Sequence, residues 1–296
     1  MSSVTRTLKL LLALVVSVAL LAATTVQAAP VGRGGVTPAD IPWNKHPLPK
    51  TTASFQATPA GKAGTTSTAA KLALIIGISD YSGDSSDLEY CDDDALEVYN
   101  TLIAEYGYTS SDITLLLDSD ATHANILAGI DWLIANAGPD THVVFYYSGH
   151  GSRSTRDADG DAERRDECII PWELSRLWDG ELAAKFAELA SGYVWIAFDS
   201  CYSGGMTDIA DAAPAGKVVT MACKEKQYSY ESSSIEHGYF TWLMVERGMR
   251  LGEGDADGDG VVTVEEAFAF CEANIDDYIR QQDPVMDDGF AGELVP

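Results

Sequence analysis

The chain has 296 residues, 46% of them hydrophobic, with 45 acidic against 19 basic residues and a formal net charge of -26 at pH 7. That length and apolar content supply a sizeable core and exclude a disordered chain. The charge would repel nucleic acid and anionic lipid and attract cations, whether metal ions or basic peptides; it also suits solubility in a salty or extracellular medium.

Residues 1–28 open with Arg6 and Lys9, continue in an apolar run over 10–23, and end in Val26-Gln27-Ala28, with small residues where a signal peptidase reads. The run is short for a bilayer span, so the expectation is a signal peptide and an exported protein, extracellular, periplasmic or cell-surface. Membrane contact is then expected only through this segment. Residues 29–70, rich in Pro, Gly, Thr, Ser and Ala without a sustained period, read as a low-complexity linker or pro-segment. All acidic residues except Asp40 lie beyond it.

From Lys71 strands and helices alternate. KLALIIGI (71–78) reads as a buried strand, and DDDALEVYNTLIAEYG from Asp92 as a helix with acids in its first turn and Gly107 at its end. DITLLL (112–117) is the next strand, and 122–137 a helix stopped by Gly138-Pro139. HVVFYYSG (142–149) and YVWIAFDS (193–200) are further strands with the helical DGELAAKFAELA between them; GKVVTMAC (216–223) is a fifth, followed by helices over 238–250 and 263–282. Apolar strands alternating with helices predict an α/β fold with a mostly parallel sheet covered on both faces, whose ligands bind beyond the strands' carboxyl ends.

Two loops stand at such ends, Ser148-Gly149-His150-Gly151 and Asp199-Ser-Cys-Tyr-Ser-Gly-Gly205. If their strands are neighbours, His150 lies beside Cys201, and the flanking glycines allow sharp turns and close approach to a substrate. Thiol catalysis needs this arrangement: Cys201 as nucleophile, His150 as general acid and base, and backbone N–H groups, those of Cys201 and Gly149, for the oxyanion. Taken singly, either residue would read as a core residue.

YYSGHGS and, about 50 residues later, FDSCYSGG resemble the histidine and cysteine motifs of the caspase-like cysteine peptidases. Asp199-Ser200-Cys201 in place of Gln-Ala-Cys, and LEYCDDDA (88–95), are similar to metacaspases in particular, with Asp93 where that family has Asn. The resemblance runs from about Leu72 to the C-terminus and implies a caspase-like three-layer sandwich over 71–296. It also implies an acidic pocket at Cys91, Asp94, Ser148 and Asp199. Two carboxylates facing one pocket repel unless a cation lies between them, and a substrate Arg or Lys supplies it. Without the resemblance, Asp94 reads equally as an acid complementing a helix dipole.

Asp255, Asp257, Asp259, Gly260, Thr263 and Glu266 in DADGDGVVTVEE match the EF-hand loop spacing, which makes calcium the expected cofactor, against the plainer reading of a solvated acidic loop. A second calcium set, implied by the resemblance alone, comprises Asp166, Asp179 and Asp208, with Gly180 where a further Asp is usual. Asp157, Asp159 and Asp161 read as solvated loop acids. Arg164-Arg165, Lys224, Lys226, Lys50 and Lys62 are candidate self-processing sites in exposed segments. Pairing among Cys91, Cys168, Cys223 and Cys271 does not follow from sequence, and no Cys or His pair has zinc spacing.

The expectation is an exported metacaspase-like cysteine endopeptidase cutting peptides or proteins after Arg or Lys. The alternatives are a catalytically silent calcium-binding surface module that binds basic partners, and a transpeptidase or ligase on the same dyad, in which an amine instead of water resolves the acyl-enzyme.

Overall fold

A computed structural model of the chain describes residues 70–83, 85–156, 158, 165–211 and 216–296. The expected signal peptide and nearly all of the linker, with Lys50, Lys62, Asp157, Asp159, Asp161 and Arg164, lie outside the described residues.

Five parallel strands form most of a six-stranded sheet: β1 (Lys71–Gly77), β2 (Ile113–Leu117), β3 (His142–Ser148), β7 (Tyr193–Asp199) and β8 (Lys217–Met221). Between β3 and β7 the chain makes a small sheet from β4 (Gly151–Arg153), β5 (Glu167–Ile169) and β6 (Leu177–Trp178). Near the C-terminus β11 (Val285–Asp288) pairs antiparallel with β8, giving the order β11-β8-β7-β3-β1-β2. Before it comes a two-residue hairpin, β9 (Glu231–Ser232) with β10 (His237–Gly238).

Alternate residues of the central strands serve two separate cores, as a sheet buried on both faces requires. Leu74, Ile76, Phe145, Tyr147, Ile196 and Phe198 face one side, packed with Ile126 and Ile130 of α2 (His123–Asn136) and Leu182 and Phe186 of α3 (Asp179–Phe186). Ile75, Val144, Tyr146, Trp195 and Ala197 face the other, against Val98 and Leu102 of α1 (Cys91–Glu105), Leu243 and Met244 of a π-helix (Trp242–Arg250), and Phe268 and Cys271 of α6 (Val264–Ile275). This is a three-layer α/β sandwich. The π-helix continues a short α-helical turn, α5 (Tyr239–Thr241).

Helix starts follow local chemistry. Thr122 caps α2 by accepting from Asn125 N–H, and Thr263 with Glu266 makes a reciprocal capping box on α6, each cap contributing about 1 kcal/mol. The helix expected over 263–282 stops at Ile275, where Asp276 and Asp277 follow and place negative charge at the negative end of the helix dipole.

Candidate active site

The register decides the site. Gly77, Ser148 and Asp199 are aligned across β1, β3 and β7 at the carboxyl ends of the strands, so the loops that follow β3 and β7 leave the sheet side by side. His150 and Cys201, on those loops, line one cleft, together with Cys91, Asp94, Ser148, Gly149 and Asp199. Gly151 is a residue of close approach: a Cβ there would lie 2.0 Å from the carbonyl oxygen of Cys201, so only glycine lets the two loops touch.

The hydrogen bonds of His150 fix its chemistry. Nε2 lies 2.7 Å from the carbonyl oxygen of Ser86, which can only accept, so Nε2 carries the proton and Nδ1 holds the basic lone pair. The backbone N–H of His150 donates to Tyr81 Oη at 2.7 Å, and the Tyr81 ring lies against the imidazole at 4.7 Å. Burial holds the imidazole below its ordinary value, opposed by the Ser86 carbonyl and Asp87, which keeps it neutral and able to accept a proton. The Cys201 thiol donates to the Ser229 carbonyl at 3.7 Å. Burial, with the Cys223 thiol nearby, pushes Cys201 up to about 12. The resting pair is therefore thiol and neutral imidazole, and the thiolate has to be generated by proton transfer during the reaction.

One expectation is corrected. Gly149 N–H does not face the cleft as an oxyanion donor; it donates to the carbonyl of Asp199 at 3.3 Å, extending the β3–β7 ladder by one rung. Tyr202 N–H is engaged as well, with the carbonyl of Gln227 at 2.9 Å, and Tyr202 itself is held in the left-handed region at φ 63°, a strained conformation for a bulky residue directly after the candidate nucleophile.

Behind the dyad the two acids sit in a dense hydrogen-bond frame. Asp199 Oδ1 accepts from Ser229 Oγ at 2.5 Å, and Oδ2 from the Thr241 N–H and hydroxyl at 3.1 and 2.7 Å. Asp94 Oδ2 accepts from Ser148 Oγ at 2.9 Å and Oδ1 from His237 Nδ1 at 2.9 Å. Burial raises both carboxyl groups, and with Asp94 as neighbour Asp199 reaches about 7. Burial likewise raises the Cys91 thiol. Sequence reading did not find Glu231, a third carboxylate lining the cleft, raised to about 7 chiefly by burial. Its two oxygens accept from Glu89 N–H and Tyr90 N–H, each at 2.9 Å, which ties down the segment that carries Ser86. Ser86, Ser229, His237 and Thr241 were also missed, because nothing local in the sequence marks them as neighbours of the dyad.

Of the expected cation ligands, Asp255, Asp257 and Asp259 converge, with one oxygen from each within 4.8 Å of the others; they form the sole such group among the described residues. Thr263 and Glu266 are instead engaged in the α6 capping box, although Glu266 Oε1 also accepts from Ala256 N–H at 3.0 Å and so closes the loop. Asp166, Asp179 and Asp208, the second expected set, are placed on three neighbouring stretches of chain: the approach to β5, the start of α3 and the helix after the cysteine loop. Asp179 accepts from the N–H groups of Glu167 and Gly180 at the start of α3, Asp166 accepts from Ala158 N–H, and Asp208 stands on a separate short helix, α4 (Thr207–Asp211). Arg165, Lys224 and Lys226 are exposed and paired with Glu225, Asp283 and Glu225 respectively. All five cysteines are unpaired.

The layered sheet and the placement of the cleft define a caspase-like α/β fold. A crystal structure of protein GSU0716 from Geobacter sulfurreducens superposes with a TM-score of 0.56 at 17% identity, covering 75% of this chain and 95% of that one. In sequence the chain is similar to metacaspases: residues 71–210 match the metacaspase, peptidase C14 domain. It is 30% identical over 207 residues to Metacaspase-7 of Arabidopsis thaliana (63% of this chain, 51% of that protein). It is 34% identical over 180 residues to Metacaspase-1 of Saccharomyces cerevisiae (57% and 41%), and 40% identical over 154 residues to Metacaspase-1 of Cryptococcus neoformans (48% and 33%). The chain thus spans about half the length, or less, of these relatives.

Proposed function

We propose that this chain is a cysteine endopeptidase whose Cys201/His150 dyad cleaves peptide bonds after Arg or Lys. The observation that carries the reading is the convergence in one cleft of a thiol, a neutral imidazole and the carboxylates of Asp94, Asp199 and Glu231. A guanidinium or ammonium entering among those acids supplies the charge that lets them ionise together.

The reaction follows from the proton positions. The Cys201 proton moves to His150 Nδ1 as Sγ attacks the carbonyl carbon, and the Cys201 N–H stabilises the oxyanion. The C–N bond breaks as His150 passes that proton to the departing amine, leaving a thioester. Water then attacks with His150 as base, the C–S bond breaks, and the sulfur regains a proton.

Calcium belongs to the same reading as an ordering ion held by Asp255, Asp257 and Asp259, with Thr263 and Glu266 at the end of the loop, at the ~0.1–1 mM affinity of extracellular modules. Its chemistry would be to neutralise those acids and stiffen the approach to α6. Export rests on residues 1–28 and self-processing on exposed basic residues such as Arg165; intact masses of active and Cys201→Ala protein should differ if the chain cuts itself.

The test is incubation of the full chain with fluorogenic peptides ending in Arg, Lys or Asp, with calcium or chelator, beside Cys201→Ala. Calcium-stimulated cleavage after Arg or Lys, lost in the variant, is the expected result. Product joined to an added amine would indicate a ligase, and a folded but inert protein a binding module.

A further inference from the structure

A histidine of the protein's own, His237, is hydrogen-bonded to one of the two pocket acids, Asp94. Gly238 is wedged between the two acids: a Cβ there would lie 2.6 Å from Asp199 Oδ2 and 3.0 Å from Asp94 Oδ2, and the Gly238 N–H donates to Asp94 Oδ1 at 3.0 Å. The residue before it, His237, donates from Nδ1 to the same oxygen at 2.9 Å, while its Nε2 stands 3.9 Å from Glu246 Oε2. The His237 side chain is 14% exposed and that of Asp94 1%, so water screens their attraction little.

The groups facing His237 leave Asp94 as its main partner. From α1 come Asp93, Asp94 and Glu97; from the π-helix come Glu246 and Arg250; the hairpin adds Glu236 and Glu231, and β7 adds Asp199 beyond Gly238. Arg250 pairs with both Glu97 and Glu246, which takes up much of their charge. Burial works against a charged imidazole, yet the hydrogen bond and charge of Asp94, with Glu246 and Glu97 behind it, carry His237 above its ordinary value. The 2.9 Å hydrogen bond from His237 Nδ1 to the buried Asp94 carboxylate thus favours the protonated imidazole.

We propose that His237 is the resident counter-cation of the acidic pocket, and that a substrate guanidinium or ammonium binding between Asp94 and Asp199 competes with it for Asp94 and drives the proton off the imidazole. This rests on reading the cleft as the pocket for a basic residue. The consequence is a built-in preference: the pocket takes Arg or Lys weakly while His237 is charged and tightly once it is neutral. By linkage the effect is reciprocal, so if the bound cation lowers the histidine by one unit, protonation of the histidine weakens the cation by about tenfold. His237 is in this account a specificity-determining residue and takes no part in bond making.

The experiment is an NMR titration of the full chain with labelled histidine, in which the His237 resonance is assigned by its disappearance in His237→Gln. Agmatine, which carries a guanidinium and an ammonium on a four-carbon chain, is the probe, and butanol serves as an uncharged control with the same four-carbon chain. Saturating agmatine should lower the His237 midpoint by about one unit, butanol should leave it unmoved, and agmatine should bind about tenfold more weakly well below that midpoint than above it. His237→Gln should bind agmatine without that pH dependence. If agmatine binds and the His237 midpoint stays where it was, the competition is refuted while the basic pocket stands. If agmatine perturbs no resonance of the cleft at any pH, the basic pocket and the competition fall together.

Discussion

Ser148 and Asp199 face each other across the last paired rung of β3 and β7. One residue further, Gly149 N–H still reaches the carbonyl of Asp199, and only then do the chains part to carry His150 and Cys201 into the cleft. The dyad thus stands two residues beyond the ends of two buried strands, which fix where its loops begin.

Loss of either member of the dyad should abolish turnover. Cys201→Ala and His150→Ala are each expected to reduce kcat by about 10³-fold or more, with the double variant little worse than either single one, since the two act as a unit. Steady-state rates on an Arg-ending peptide check this, and additive losses would contradict it.

Asp199→Asn removes a pocket charge but leaves the Ser229 and Thr241 donors in place. Transition-state binding of an Arg substrate should weaken by about 2–5 kcal/mol, the range for removing one partner of a buried charge pair. Hydrolysis of a small thioester without a basic side chain should be nearly unchanged. Equal losses on both substrates would place Asp199 in the chemistry and not in the pocket.

The raised carboxyl groups make a stability prediction whose sign is opposite to that of ordinary salt-bridged acids. Asp199 and Glu231, both at about 7 in the folded protein, hold protons that the unfolded chain releases at lower pH. Their contribution to stability is fully present below the unfolded carboxyl values and is lost as pH rises through about 7. Asp199→Asn should therefore raise Tm relative to wild type at pH 8 more than at pH 4.5. A difference in Tm that is constant across this range would show that Asp199 is not raised.

Glu231 links the pocket wall to the segment whose Ser86 carbonyl orients His150. Glu231→Ala leaves two main-chain N–H groups without their acceptor and should cost about 1–3 kcal/mol of stability. Because His150 loses its fixed orientation, kcat is expected to fall more than KM rises, and Glu231→Gln should recover part of the loss. Urea unfolding and kinetics on the same preparations measure both; a pure KM effect would confine Glu231 to substrate contact.

The parallel strands were legible in the sequence because each is an apolar run and four of the five are ended by glycine or acid, and the dyad because both members follow such runs in glycine-rich loops. The Gly149 reading failed because the β3–β7 ladder continues one residue past the point where the apolar pattern ends. Glu231 and His237 were not legible: the strands that carry them are two residues long, too short for any period to register, and their partners lie at and just before the start of α1, far away in the chain. The edge strand β11 was hidden because its VMDD pattern is half acidic and pairs on one side only. Asp255, Asp257 and Asp259 converge as their spacing predicted, since a loop motif depends on local geometry alone.

Covalent labelling tests the central claim most directly. The full chain, treated with a peptidyl acyloxymethyl ketone ending in Arg and with one ending in Asp, should gain one adduct from the Arg reagent, mapped by peptide mass to Cys201 and absent in His150→Ala. An adduct formed equally by the Asp reagent would contradict the acidic pocket, and labelling of another cysteine, or of none in folded protein, would contradict Cys201 as the nucleophile.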